Sequence, residues 1–185
     1  NQSLDGMSFV LNHGEEKYEI KTSVIGGFQV SVIIPAIICG VLLRMPLADA
    51  VLAVERYGCP PGRMTIIPTL KGATILDSSY NSSPAALKEA LLVLKDLGVG
   101  KRKVAVLGSM NELGTESEHL HKTIGEFVPF CANLLITVGN DAKFIAEAAQ
   151  QKGFDKKSVF SFDDALAAAD FFKEKIKRED LILVK

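Results

Sequence analysis

The sequence predicts an α/β fold: a mostly parallel sheet with helices on both faces, preceded by a small unit of one hairpin and two helices. Past residue 60, continuous apolar segments alternate with amphipathic ones, the pattern of a parallel sheet covered on both faces. Residues 1–25 instead alternate with strand periodicity. Between the two patterns stands Cys59-Pro60-Pro61-Gly62, which is typical of a linker, so we predict domains at 1–60 and 61–185.

The first unit is predicted from turn and helix signals. Polar residues around Gly14 separate two strand-like segments, and Gly26-Gly27 ends the second. Apolar residues at helical spacing follow in two segments, the first interrupted by Pro35. The predicted elements are strands Ser8–Leu11 and Lys17–Ser23, then helices Val30–Leu43 and Leu47–Tyr57.

The second unit begins with a hairpin that turns at Leu70-Lys71-Gly72. Pro84 suits a first helical turn, with Ser82 or Ser83 as the N-cap. The predicted strands are Met64–Pro68, Ala73–Leu76, Lys103–Leu107, Asn133–Val138, Ser158–Phe162 and Leu181–Val184. The predicted helices are Pro84–Leu97, Thr115–Val128, Asp141–Gln151 and Asp163–Ile176.

Composition excludes several classes of protein. The 185 residues are 48% apolar and 23% charged, as in ordinary globular domains. A net charge of -1 gives no long-range attraction for nucleic acid, so we expect no nucleic-acid partner. The longest apolar stretch, Val30–Leu43, is shorter than the ~20 residues of a membrane span and predicts a buried helix. Three scattered cysteines predict reduced, buried thiols.

Ligands of such sheets bind beyond the carboxyl ends of the strands. The candidate loops are therefore 77–84, 108–114 and 139–141, together with Lys185. Loop 77–84 is dense in short polar groups, which serve either turn and capping chemistry or a polar cradle for a ligand. Glu112 is either a surface acid near a helix start or a group that orients a ligand.

Several motifs of known chemistry are missing. No GxxxxGK[ST], GxGxxG, HExxH or GxSxG segment occurs, and Gly98-Val99-Gly100-Lys101 fits a helix end. His119 and His121 are two apart on a predicted helix and point to different faces. With His13 they make no metal-ligand set, so we predict no metal site.

Five segments occur in an order that resembles the carboxyl-terminal part of the Mur ligases. They are Arg63 after Pro-Gly, LDSSYNSSP (76–84), VAVLGSMNELG (104–114), Ser117 and His121 in SEHLHKTIG, and LILVK (181–185). The pattern is most similar to GR…IDDSYNANP…AVLGDMLELG…S…LH…LVKGS, that of the member adding D-alanyl-D-alanine to a UDP-N-acetylmuramoyl tripeptide. Residues 25–30 (IGGFQV) resemble the end of the family's central domain.

The resemblance implies a Rossmann-like carboxyl-terminal domain at 61–185 after the end of an ATP-binding central domain at 1–60. Because the chain starts at Asn1 without Met and stops at Lys185, where the family continues with Gly-Ser, we expect a fragment. The implied reaction is ATP-driven amide formation through an acyl phosphate, with Mg²⁺ bound mainly by the P-loop part. The implied enzyme is cytoplasmic, acts in peptidoglycan synthesis, and is expected to be a monomer.

The resemblance also assigns residues. None in this chain would be catalytic or bind metal. The residues implied for ATP are Arg63, Asp77, Ser78, Tyr80 and Gln29. The residues implied for the peptide and dipeptide substrates are Asn81, Ser109, Asn111, Glu112 and Lys185. His121 is either part of this pattern or a capping or packing histidine.

Three positions depart from the family pattern. Ser78 and Ser109 stand where the family has aspartate, and Val32 stands where it has asparagine. Lost carboxylates and a lost amide alter the expected nucleotide contacts, although hydroxyls still hydrogen-bond to ribose. Two alternatives therefore stay open: a Mur-type ligase for another amino acid, and a non-catalytic homologue that binds nucleotide or UDP-muramoyl peptide.

Overall fold

A computed structural model describes all 185 residues, which form two compact units, Asn1–Pro60 and Pro61–Lys185. None of the helices has the length and apolar character needed to cross a membrane. The three cysteines are free, but only Cys131 is buried, and Cys39 is exposed. Burial raises the pKa of the Cys131 thiol to about 11, so this thiol stays protonated at neutral pH.

The first unit is an antiparallel hairpin packed against two helices. Its strands are β1 (Gln2–Ser3), β2 (Gly6–His13) and β3 (Glu16–Thr22), and its helices are α1 (Val30–Leu42) and α2 (Leu47–Glu55). The hairpin pairs Met7 with Thr22 and turns at Gly14, whose φ of 61° suits glycine. The predicted hairpin and both helices are confirmed. The unit has a core of its own: Met7, Ile20, Val24, Ile33, Ile37, Ala50 and Val51.

The prediction of a buried helix at Val30–Leu43 is wrong about burial. The helix forms, and Pro35 lies inside it, but only Ile33 and Ile37 are buried. Large apolar side chains around the rest of the helix are exposed, among them Leu42 at 75%. A helix that is apolar on nearly every side gives no sequence signal for which stripe packs, and in the first unit only the stripe with Ile33 and Ile37 joins the core.

The second unit contains a six-stranded, mostly parallel sheet. Its strands are β4 (Thr65–Pro68), β5 (Thr74–Asp77), β6 (Lys103–Gly108), β7 (Leu134–Val138), β8 (Val159–Phe162) and β9 (Leu181–Val184). Their spatial order is β4-β5-β9-β6-β7-β8, and only the β4–β5 hairpin is antiparallel. The predicted α/β fold class is confirmed.

Helices cover both faces of this sheet. They are α3 (Pro84–Leu97), α4 (Ser117–Phe127), α5 (Lys143–Gln151) and α6 (Ala165–Lys175). Val104, Ile136 and Ile182 point to the face that packs against Ala168 of α6. Because strand side chains alternate, the intervening residues of the same strands point to the opposite face. There α3 contacts β6 and β9, while α5 contacts β7 and β8.

Side-chain caps explain where two helices begin. Ser83 Oγ accepts from the Ala86 amide, and Asp164 Oδ1 accepts from the amides of Leu166 and Ala167. The sequence analysis gave Ser82 or Ser83 as the N-cap of α3, and the structure shows that it is Ser83. The last helix was predicted to begin at Asp163, two residues before its observed start, and its cap is Asp164.

An ion pair closes the amino-terminal end of β9. Arg102 Nε donates to Asp180 Oδ1 at 2.8 Å, and the Lys177 amide donates to Asp180 Oδ2 at 2.8 Å. Asp180 is buried, whereas 29% of the Arg102 side chain is exposed. The two partners therefore lose different amounts of hydration on folding.

We expect Arg102→Met to lower the free energy of unfolding by about 3 kcal/mol, because it leaves a buried carboxylate without its cation. Asp180→Asn leaves a partly exposed guanidinium that water solvates. We therefore expect this variant to lower the free energy of unfolding by only about 1 to 2 kcal/mol. Urea unfolding of both variants measures this asymmetry. An equal or larger loss in Asp180→Asn would contradict it.

Candidate functional site

The candidate site lies at the carboxyl edge of the parallel sheet, where backbone hydrogen bonds continue past the strand ends. The Ser78 amide donates to Val184 O at 2.9 Å, and the Gly108 amide donates to Lys185 O at 2.7 Å. The Ser109 amide donates to Val138 O at 3.2 Å. These bonds bring loops 77–84 and 108–114 to either side of Lys185.

Lys185 is the central cation of this edge. Its ammonium donates to Asn81 O at 2.9 Å, Ser78 Oγ at 3.2 Å and Ser78 O at 3.4 Å. All three partners are uncharged, and no ion pair of the chain includes Lys185. Burial, and after it the charge of Arg63, lowers the pKa of Lys185 below its ordinary value.

Arg63 is the second cation at this edge of the sheet, and no ion pair of the chain includes it. Its guanidinium carbon lies 4.1 Å from the centroid of the Tyr80 ring, a cation–π arrangement. The Tyr80 amide donates to Gly62 O at 3.1 Å, and a Cβ on Gly62 would lie 3.1 Å from the Tyr80 nitrogen. With a φ of 76°, Gly62 is the residue that permits this approach.

Some of the remaining polar groups of loop 77–84 form hydrogen bonds within the loop. Asp77 Oδ1 accepts from the Ser79 amide at 3.1 Å and from Ser79 Oγ at 2.6 Å. Asn81 Oδ1 accepts from the Ser82 amide at 2.8 Å. Asp77 Oδ2 and the exposed Tyr80 and Asn81 side chains keep free hydrogen-bonding capacity.

Loop 108–114 presents two of its predicted residues to solvent and turns the third inward. Ser109 Oγ accepts from the amides of Asp141 and Ala142, at 3.2 and 3.1 Å, and so binds the start of α5. Asn111 and Glu112 are exposed. Glu112 has a φ of 63°, a left-handed conformation that costs a non-glycine residue about 1 to 2 kcal/mol.

Three side chains behind this loop form a network that the sequence did not fully reveal. Ser117 Oγ donates to Asp141 Oδ2 at 2.6 Å, and the Met110 amide donates to His121 Nε2 at 2.9 Å. His121 Nδ1 lies 2.7 Å from Ser117 O. The spacing of Ser117 and His121, one helical turn apart, was the available signal, and Asp141 was marked only as the last residue of the candidate loop 139–141.

Gln29 lies in the first unit, half-buried at the end of a short 3-10 turn (Gly27–Gln29) that leads into α1. The second unit brings together the other nine predicted residues: Arg63, Asp77, Ser78, Tyr80, Asn81, Ser109, Asn111, Glu112 and Lys185. Their arrangement combines two uncompensated cations with an aromatic face and free hydroxyl, amide and carboxylate groups. Such a surface is suited to an anionic ligand with a planar or polar portion.

The chain belongs to the Mur ligase family. A sequence model described as "Mur ligase, glutamate ligase domain" matches residues 62–185, the whole sheet and its loops. The UDP-N-acetylmuramoyl-tripeptide–D-alanyl-D-alanine ligase of Bacillus subtilis is 32% identical over all of this chain. The Haemophilus influenzae protein of the same name is 27% identical over 88% of it. The chain spans about 40% and 35% of these relatives' lengths, respectively.

Solved structures show the same fold. MurF from Acinetobacter baumannii superimposes with a TM-score of 0.82 at 20% identity, covering 97% of this chain and 39% of that one. The MurF ligase of Thermotoga maritima in complex with ADP gives 0.77 at 22% identity, again covering 97% and 39%. At these identities the likeness shows the fold.

The lowered pKa of Lys185 predicts a pH-dependent stability. Between that pKa and the ordinary value of about 10.4, the folded chain binds fewer protons than the unfolded chain, so stability rises with pH. Lys185→Met should lack this rise. Ser78→Asp places a carboxylate where Ser78 Oγ lies, raises the pKa of Lys185 and should abolish the rise as well.

Urea unfolding of the three proteins from about pH 8 to about pH 10.4 tests this window. A wild-type curve parallel to that of Lys185→Met would contradict the prediction.

The left-handed backbone at Glu112 predicts that Glu112→Gly is about 1 kcal/mol more stable than Glu112→Ala, because glycine adopts this conformation without strain. Glu147, an exposed residue inside α5, provides the matched control, and there the alanine variant should be the more stable one. Chemical denaturation of the four variants gives both differences. The same order at both positions would contradict the prediction.

Proposed function

We propose that this chain is part of an ATP-dependent ligase that adds D-alanyl-D-alanine to a UDP-N-acetylmuramoyl tripeptide. The carboxylate of the tripeptide would attack the γ-phosphate of ATP and release ADP, and the amine of the dipeptide would then displace phosphate from the acyl phosphate and lose a proton, which leaves the amide. The names of two similar relatives support this substrate pair. The observation that carries the proposal is the pair of uncompensated cations, Arg63 and Lys185, at the carboxyl edge of the sheet.

The two cations fit a reaction in which ATP, the tripeptide carboxylate and the acyl phosphate are all anionic. Arg63 would face the phosphates of ATP, with Tyr80 beside it and the hydroxyl or carboxylate groups of Ser78 and Asp77 available to the ribose. Gln29 stays a separate prediction for ATP binding, made for the first unit by itself. Lys185 lies between the two loops and would neutralise a carboxylate or phosphoryl oxygen, because none of its present partners carries a charge.

Loop 108–114 would serve the incoming dipeptide. Asn111 and Glu112 are its exposed polar side chains, and Asn81, whose carbonyl accepts from Lys185, is exposed in the neighbouring loop. Glu112 is suited to the ammonium end of the dipeptide. Ser109 would act through the backbone, since its hydroxyl binds the first amides before α5.

We assign no bond-making step to these residues, whose work would be recognition and charge neutralisation. We propose that Mg²⁺ is bound mainly by the P-loop part of the full enzyme, whose GxxxxGK[ST] motif does not occur in these 185 residues. We propose that residues 1–60 end an ATP-binding central domain. The product would be a cytoplasmic precursor of peptidoglycan, linking the enzyme to cell shape and division.

Two rival functions have specific support. Ser78 and Ser109, which replace the family's aspartates, suit a non-catalytic homologue that binds UDP-muramoyl peptide without turning over ATP. A Mur-type ligase for another amino acid would have the same fold and the same cation pair. The amine that supports phosphate release distinguishes these possibilities.

The reading frame that encodes this chain should also encode a GxxxxGK[ST] segment. We expect its full product to release phosphate from ATP only with UDP-muramoyl tripeptide and D-alanyl-D-alanine together, whereas residues 1–185 alone release none. Arg63→Ala and Lys185→Met should each lower kcat/KM about 100-fold through loss of one charge-stabilising group. Lys156→Met, an exposed lysine before β8, is the matched control and should leave the rate unchanged.

Phosphate release that requires lysine or meso-diaminopimelate in place of D-alanyl-D-alanine would indicate another Mur-type ligase. Binding of UDP-muramoyl peptide without phosphate release would favour the non-catalytic homologue. If an active enzyme keeps its kcat/KM in both Arg63→Ala and Lys185→Met, the proposed role of these two cations is wrong.

A further inference from the structure

The 108–114 loop is held from behind by a fully buried histidine. His121 Nε2 accepts from the Met110 amide at 2.9 Å, and the exposed fraction of His121 is 0%. Met110 is itself buried, and its neighbours Asn111 and Glu112 are exposed. The bond therefore connects the helix α4 to the point at which the loop turns outward.

The partners of His121 allow one arrangement of protons only. A backbone amide always donates, so Nε2 must be the unprotonated nitrogen. The proton then lies on Nδ1, which donates to Ser117 O at 2.7 Å. Ser117 Oγ donates to Asp141 Oδ2 at 2.6 Å, so its 3.3 Å contact with Nδ1 adds no competing donor.

We infer that His121, as the neutral Nδ1–H tautomer, is a positioning residue that holds the 108–114 loop in its substrate-facing conformation. The loop needs such an anchor because Glu112 has a left-handed backbone that its own residue type disfavours. Water cannot replace the anchor, because the imidazole and the Met110 side chain are both buried. The functional half of this inference rests on the proposed role of Asn111 and Glu112 in binding the dipeptide.

Hydrogen exchange of the 185-residue chain tests the anchor without any ligand. His121→Asn keeps a polar group near the position of Nδ1 but has no acceptor at the position of Nε2, whereas His121→Gln places an amide oxygen near it. We expect exchange of the Met110 amide to rise at least 10-fold in His121→Asn and to stay within about 3-fold of wild type in His121→Gln.

Two controls separate positioning from general destabilisation. His119→Asn changes an exposed histidine of the same helix and should leave Met110 unchanged. The Ala105 amide, inside β6, should keep its wild-type exchange rate in every variant. Equal acceleration of Met110 and Ala105, or no acceleration of Met110 in His121→Asn, would overturn the inference.

Imidazole ¹⁵N shifts of the wild-type chain test the tautomer even if a variant fails to fold. A single neutral ring with the proton on Nδ1 supports the inference, and a proton on Nε2 or on both nitrogens at neutral pH overturns it.

In the active ligase, His121→Asn should raise KM for the dipeptide about 10-fold and leave KM for ATP unchanged, with His121→Gln restoring the value. An active enzyme with no change in either KM would overturn the functional half. Complete lack of ligase activity in the wild type would instead reject the proposed function, and the exchange result would still decide whether His121 anchors the loop.

Discussion

The pairing of β9 between β5 and β6 is the constraint on which the second unit depends. The sheet order makes this four-residue strand the sole bridge between the β4–β5 hairpin and the three strands β6, β7 and β8. Its register pairs Asp77 with Val184 on one side and Val106 with Val184 on the other. Loops 77–84 and 108–114 therefore meet only because β9 joins their strands, and the residue that follows it, Lys185, lies between them.

Most of the fold was predictable because its signals are local. Continuous apolar strands, amphipathic helices and the Pro-Pro-Gly linker depend on neighbouring residues, so the elements of both units were predicted within two residues at most boundaries. Burial of α1 was not predictable, because its apolar residues surround the helix and only Ile33 and Ile37 pack inward. Which stripe is covered depends on the tertiary packing of the first unit, in which α1 contacts α2.

The site divides in the same way. The rule that ligands bind beyond the carboxyl ends of parallel strands predicted the loops. The family resemblance predicted which polar residues in those loops bind ligand. Neither revealed that the Ser109 hydroxyl turns inward to α5, or that Lys185 has no charged partner. Those facts depend on contacts between residues 32 and 104 positions apart in sequence. Serine stands at position 78 where the family has aspartate, and the structure shows the consequence: Lys185 donates to a neutral hydroxyl there.

The central place of β9 also determines when the site forms during folding. Thr74 pairs with Leu181, so closing β5 against β9 joins segments separated by more than 100 residues. Pairings of such high contact order are slow, because chain entropy is lost before any contact is gained. The hairpin and the block of β6, β7 and β8 contain shorter-range pairings and can form earlier. The contacts of Lys185 with loop 77–84 join residues more than 100 positions apart, so the binding edge is the part of the sheet with the largest loop-closure cost.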